Sequence, residues 1–167
     1  DSATVTVAVP SVVKSRISIL PNVDGNNGRA TVGETIVYQV VVTLPEGQGS
    51  ASELVDRLDN GLTFVSFDTL TASSGDVTTS PNNLATVLAA ATGVGTRDGR
   101  LDFGTINNTN ANNGVSETIT LTYTVLVNDV PVIVHGLNRN NRVDFNTDLT
   151  TERVNAPNTQ VREPLVV

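Results

Sequence analysis

Between Val115 and Val127 the chain alternates apolar and hydroxyl-bearing side chains with a period of two. Val115, Ile119, Leu121, Tyr123, Val125 and Val127 fall on one face; Ser116, Thr118, Thr120, Thr122 and Thr124 fall on the other. A helix would scatter these residues around its axis, whereas a strand sorts them into an inner and an outer face. From Glu34 onward, Ile36, Tyr38, Val40, Val42 and Leu44 repeat the pattern. Shorter runs over Ala3–Val9, Ser11–Leu20, Glu53–Leu58, Leu62–Phe67, Leu101–Ile106 and Asn141–Asn146 read the same way. Leu84–Ala91 fits two states: its alanines suit a short helix, and Thr86-Val87 suits a strand.

Turn residues separate these runs. Asp24-Gly25, Asn27-Gly28, Asn60-Gly61, Asp98-Gly99 and Asn113-Gly114 supply positions that tolerate positive φ. Many short strands punctuated in this way predict an all-β chain, an immunoglobulin-like antiparallel β-sandwich. The polar stretch Thr69–Asn83 is expected as an excursion at one end, and Asn107–Asn113 as a loop. With four Phe, two Tyr and no Trp in 167 residues, the core must be built mostly from Val, Leu and Ile.

The end of the chain echoes its beginning. Val7 to Val13 reads V-A-V-P-S-V-V and Val161 to Val167 reads V-R-E-P-L-V-V, a match at four of seven positions. Such an echo is expected of one unit cut from a tandem array. The implied organisation is a linker, donor or adjoining strand over residues 1–9, a sandwich over 10–160, and over 161–167 the start of a next repeat or an inter-subunit strand.

Composition narrows the function. Ten basic against 17 acidic residues give a net charge of −7, which disfavours nucleic acid and anionic membrane as partners. No Cys is present, so disulfides, thiolate metal sites and Cys nucleophiles are excluded. No apolar run approaches the ~20 residues of a membrane-spanning helix. His135, the single histidine, lies in a Pro-containing connection and is expected in solvent; no Ser sits in a nucleophile-elbow pattern, so an enzyme is not expected. Gly93-Val94-Gly95 lacks the third glycine and the following helix of a phosphate site.

The segments Gly33-Glu34-Thr35-Ile36-Val37-Tyr38-Gln39-Val40, Leu54-Val55-Asp56-Arg57-Leu58, Asn60-Gly61-Leu62-Thr63-Phe64-Val65-Ser66 and Asn141-Arg142-Val143-Asp144-Phe145 together resemble the Ig-like tandem repeats of bacterial and archaeal adhesins and cell-surface proteins. The middle motif departs from the family at Asp59, where the family usually has Pro. The resemblance implies an extracellular, cell-surface setting. Related fimbrial and pilin domains form an internal isopeptide bond, in which a buried Lys attacks an Asn amide while a neighbouring acid shuttles protons. Lys14, Asp56 and Asn141 match the residue types and their order. Asp56 alternates with Leu54 and Leu58, and Asn141 with Val143 and Phe145, so both are expected to point inward. Lys14 alternates out of phase with Val13, Ile17 and Ile19, which read as the inward set, and the family's Lys position holds Arg16. Pleat parity therefore predicts an exposed Lys14 and an unmodified chain, unless a bulge inverts the strand.

Asp24-Gly25-Asn26-Asn27-Gly28 places oxygen-bearing side chains in a Gly-rich loop, and Glu34 follows nearby. Asp24, Asn26 and Glu34 are thus candidate calcium ligands, joined by Asp144 and Asp148 if the fold brings them close, although no cofactor is required and the plain reading is a turn. The expected function is a structural spacer module of an extracellular adhesin, which extends and bears tension between neighbouring repeats. The alternative is a subunit of an extracellular filament, in which Ala3–Val9 adds as a strand to an identical neighbour. A receptor site on Thr69–Asn83 and Asn107–Asn113 would lack the aromatic side chains of a sugar platform.

Overall fold

A computed structural model describes residues 8–112, 115–131, 133 and 135–163. Twelve strands and one short helix follow one another. They are β1 Ser11–Leu20, β2 Arg29–Thr31, β3 Thr35–Leu44, β4 Gly47–Leu58, β5 Leu62–Ala72, β6 Val77–Ser80, α1 Leu84–Ala89, β7 Asp98–Asn108, β8 Glu117–Val127, β9 Asn138–Arg139, β10 Asn141–Asn146, β11 Thr151–Asn155 and β12 Thr159–Arg162. One sheet runs β1-β3-β8-β5 and the second β11-β10-β4-β7-β6; all pairs within them are antiparallel. The all-β sandwich expected from the alternation is therefore present. A small third sheet, β2-β12-β9, contains a parallel pair, β12 with β2.

The period-two segments behave as their side chains require. Every second residue of β3 and β8 is buried, Ile36 to Leu44 and Glu117 to Val127. These residues interleave with Leu54, Leu101, Phe103, Val143 and Phe145 of the facing sheet to form one core. Tyr38 and Tyr123, cross-strand neighbours in β3 and β8, stack with centroids 5.7 Å apart. Gly61 of the Asn60-Gly61 turn has φ +86, and a Cβ there would lie 2.3 Å from Ile133 Cδ1. Only glycine meets both conditions.

Several expectations are revised. The stretch Thr69–Asn83 is mostly strand: β5 continues to Ala72, and Val77–Ser80 joins the edge of the second sheet through β7. β7 likewise extends into the expected loop as far as Asn108. Leu84–Ala89 resolves as helix, with Asn83 capping it by accepting from the Thr86 amide at 2.9 Å and with Val87 buried. The expected boundary between residues 160 and 161 falls inside β12, where fully buried Val161 pairs with Ala30. Residues 164–167 and most of Ala3–Val9 lie outside the described residues.

On the outer face of the second sheet Asp144 is 4% exposed and ringed by guanidinium groups. Arg153 Nε donates to it at 2.7 Å and Arg57 Nη1 at 2.7 Å, and Arg142 Nε lies 3.6 Å away. The Arg153 hydrogen bond, with the charges of Arg142 and Arg153, holds the Asp144 carboxyl below its ordinary value of 3.8. A carboxyl depressed in the folded state stabilises the fold above its unfolded pKa, and that stabilisation disappears as pH falls through the folded value. Asp144→Asn should therefore cost about 1–2 kcal/mol at pH 7, a modest figure because the arginine ends are exposed and screened. In urea melts the gap between variant and wild type should close below pH 3.8.

Candidate functional site

The inner face of β1 is set by a bulge. The register with β3 runs regularly from Ser11↔Thr43 to Arg16↔Tyr38, skips Ile17, and resumes at Ser18↔Val37. One extra residue inverts the side-chain alternation. Lys14 and Ile19, five positions apart, consequently both face inward, at 4% and 1% exposure. Val13 and Ile17, the expected inward residues, are 61% and 46% exposed. The parity expectation of an exposed Lys14 is thus overturned, and the cause is the bulge at Ile17.

Lys14 reaches across the sandwich interior. Its Nζ donates to Asp56 Oδ2 and to Asn141 Oδ1. Asp56 lies near the end of β4 between buried Leu54 and Leu58, and Asn141 opens β10, the strand hydrogen-bonded beside it. Asp56 is 0% exposed and Asn141 1%. The structure therefore brings together the three residues that the resemblance singled out. They come from opposite sheets, 127 residues apart in sequence for Lys14 and Asn141.

Two tyrosines complete the chamber. The Lys14 Nζ lies 5.5 Å from the Tyr38 ring centroid and 5.4 Å from that of Tyr123. Tyr123 donates its hydroxyl proton to Asp56 Oδ2 at 2.6 Å and accepts from Asn141 Nδ2 at 2.9 Å. Sequence reasoning placed both tyrosines on inward faces without assigning them to the site. The available signal was that the chain's only two tyrosines both fall at core positions, where a buried hydroxyl requires a partner. Arg16, in the position the resemblance reserves for Lys, instead ties β1 to the last strand, through Asn158 O at 3.0 Å and Thr159 Oγ1 at 2.7 Å.

The chamber is electrostatically unusual. Burial, opposed by the neighbouring Asp56, lowers the Lys14 amine to about 8. Burial raises the Asp56 carboxyl against the pull of Lys14. Both shifts run toward the neutral amine and the neutral acid, and so lower the cost of reaching that state from the ion pair. Asp56 Oδ1 is buried without a hydrogen-bond partner, an arrangement costly for a full carboxylate and less so for a neutral acid. A neutral amine is a nucleophile, and here it touches the oxygen of a carboxamide whose carbon is the electrophile.

The calcium candidates are arranged differently. Glu34 directs Oε1 to the Val23 amide at 2.9 Å and Oε2 to the Thr31 amide at 2.7 Å. Asp24 accepts from the Asn26 amide at 2.9 Å, and Asn26 from the Gly28 amide at 2.7 Å. Their oxygens thus close turns in the backbone. Asp144 is engaged by arginines on the second sheet, and Asp148 donates its amide to Ser50 O. Among the described residues no group of three or more acidic or histidine side chains converges. His135 is exposed.

No family model matches the chain, and no curated protein matches it. Solved structures do. The pilus backbone protein RrgB of Streptococcus pneumoniae superposes with a TM-score of 0.56 at 22% identity, over 84% of this chain and 31% of that one. The T6 backbone pilin of serotype M6 Streptococcus pyogenes, which has a modular three-domain structure, gives 0.53 at 19% identity, over 93% and 36%. The major pilin subunit BcpA of Bacillus cereus gives 0.50 at 13% identity, over 92% and 40%. The fold is pilin-like, and the chain spans well under half the length of each of these proteins.

Because Glu34 satisfies two backbone amides, Glu34→Ala should cost about 2 kcal/mol, the scale of hydrogen bonds to a charged group. The melting temperature of wild type should be the same in calcium and in chelator. A rise with calcium in differential scanning calorimetry would restore the loop as a metal site.

Proposed function

We propose that this chain is a tension-bearing structural module of an extracellular surface protein, locked by an amide bond between Lys14 Nζ and Asn141 Cγ. The observation that carries the reading is the buried Lys14, in contact with both Asp56 and Asn141. The sequence-based expectation of an unmodified chain depended on an exposed Lys14, and that premise has fallen. The likeness to pilus backbone proteins supports a structural role, and favours a filament subunit as the second reading beside an adhesin spacer.

The chemistry balances within the chamber. Asp56 takes the proton of the Lys14 ammonium, leaving a neutral amine. The Nζ lone pair forms a bond to Asn141 Cγ, and the carbonyl pair moves to Oδ1, the oxygen that Nζ contacts. The proton held by Asp56 is delivered to Nδ2, one proton passes from Nζ back to Asp56, the Oδ1 pair re-forms the carbonyl, and the Cγ–Nδ2 bond breaks to release ammonia. The products are one secondary amide and one ammonia, with no oxidant, reductant or cofactor consumed. Burial lowers the cost of the uncharged amine and acid, the state the attack requires.

The consequence is mechanical. The amide would join the first strand of one sheet to the second sheet and close a loop spanning 127 residues. By the loop-entropy reasoning used for disulfides, a closure of this length stabilises by about 5 kcal/mol.

Intact-mass spectrometry decides the matter. Wild type should weigh ~17 Da less than its sequence, the mass of the ammonia expelled when the amine displaces the amide. Asp56→Ala and Asn141→Ala should appear at their full sequence masses and melt at lower temperature. A wild-type chain at full sequence mass would overturn the bond.

A further inference from the structure

Building on the proposed amide bond, we propose that Tyr123 is a catalytic residue of its formation, handing the Asn141 nitrogen the proton with which it leaves. Four groups form a closed circuit of hydrogen bonds. Lys14 Nζ donates to Asp56 Oδ2 and to Asn141 Oδ1. The Tyr123 hydroxyl donates to the same Asp56 Oδ2 at 2.6 Å, and Asn141 Nδ2 donates to the Tyr123 oxygen at 2.9 Å. Every atom that gains or loses a proton in the reaction lies on this circuit.

The leaving step explains why a fourth member is needed. In the amide, the Nδ2 lone pair is delocalised and the nitrogen only donates. Once Lys14 Nζ has added to Cγ, the carbon is tetrahedral and the Nδ2 pair is localised and basic. An amide anion does not depart from such a centre; ammonia does. Nδ2 must therefore receive one proton as the Cγ–N bond breaks. Asp56 holds the proton taken from Nζ, yet its hydrogen bonds run to Lys14 and Tyr123, with none to Nδ2. The Tyr123 hydroxyl contacts both donor and recipient. It passes its own proton to Nδ2 and takes one from Asp56 Oδ2, ending unchanged.

Two further observations fit a relay. Tyr123 is 0% exposed, stacked on Tyr38 and packed against the tilted Phe64 ring, so its hydroxyl is held in place without solvent. Burial and the neighbouring Asp56 raise its phenol well above the ordinary value of 10, so it is protonated at rest and can give up its proton only as another arrives from Asp56. The Tyr38 hydroxyl also borders Asn141, but its partner is Thr159 at 3.4 Å and it makes no hydrogen bond to Asp56, so it has no route by which to regain a lost proton.

The test follows the intact mass of full-length chains through time after cell-free synthesis, with samples quenched in acid and denaturant. Wild type should reach the mass lower by one ammonia in the earliest samples. Tyr123→Phe keeps the ring and removes the relay, and should convert at least ~100-fold more slowly, the usual worth of a positioned acid–base group. A folded Tyr123→Phe chain that converts as fast as wild type overturns the relay and leaves the bond standing. A wild-type chain that stays at full mass overturns both. Should circular dichroism show Tyr123→Phe unfolded, 4-aminophenylalanine at position 123 keeps a polar donor of the same shape with far weaker acidity. Slow conversion of that chain supports the relay, and wild-type speed overturns it.

Discussion

Everything distinctive about this sandwich depends on one interaction: a lysine amine desolvated against a carboxyl group in the middle of the core. Removing an ammonium and a carboxylate from water costs several kcal/mol per ion, and their attraction offsets this only when the geometry is complete. Here it is incomplete, since Asp56 Oδ1 has no partner. The directions of both pKa shifts bring the neutral amine and the neutral acid closer in energy to the ion pair. In the proposed reaction, a pair that serves poorly as a salt bridge acts as nucleophile and proton store, at the cost of placing polar groups among Leu54, Leu58 and Val143.

The bulge at Ile17 is the structural device that permits this. Without it, β1 could present either Lys14 or Ile19 to the core, not both. With it, the strand keeps Ile19 packed in the apolar core and delivers Lys14 to the polar chamber. The extra residue also leaves Val13 and Ile17 on the outer face, so two of the three residues that read as the inward set of β1 are exposed and only Ile19 is buried.

What was legible in the sequence follows from how local the cause is. The alternation in Glu34–Leu44 and Val115–Val127 reports burial residue by residue, so strands and sandwich could be read directly, as could the inward Asp56 and Asn141. The orientation of Lys14 could not, because the bulge falls at Ile17, where neither Gly nor Asn marks it. The same limit hid β6: Val77–Ser80 is short and polar, and is a strand only because β7 supplies an edge. The three-stranded sheet was hidden too, since its parallel pairing of Thr159–Arg162 with Arg29–Thr31 joins segments distant in sequence. The polar turn Asp24–Gly28 looked like a ligand set because the same oxygen-bearing residues close backbone turns and bind hard cations. Only the direction of Glu34 toward amides separates the two.

The position of the site in the chain determines how load would pass through such a module in the bonded form. Lys14 lies near the start of β1, and Asn141 opens the strand that leads through β11 to β12. In the bonded form, force entering through β1 crosses to β10 by a covalent bond and leaves through the last strands, so the segment between them carries none of it. Hydrogen-bonded ladders separate cooperatively under load, and a sandwich held only by its core would yield by peeling β1 from β3. An amide across the two sheets removes that mode, because β1 cannot leave without cleaving a covalent bond. A bond between the first strand and the tenth would leave β2 to β9 off the load path.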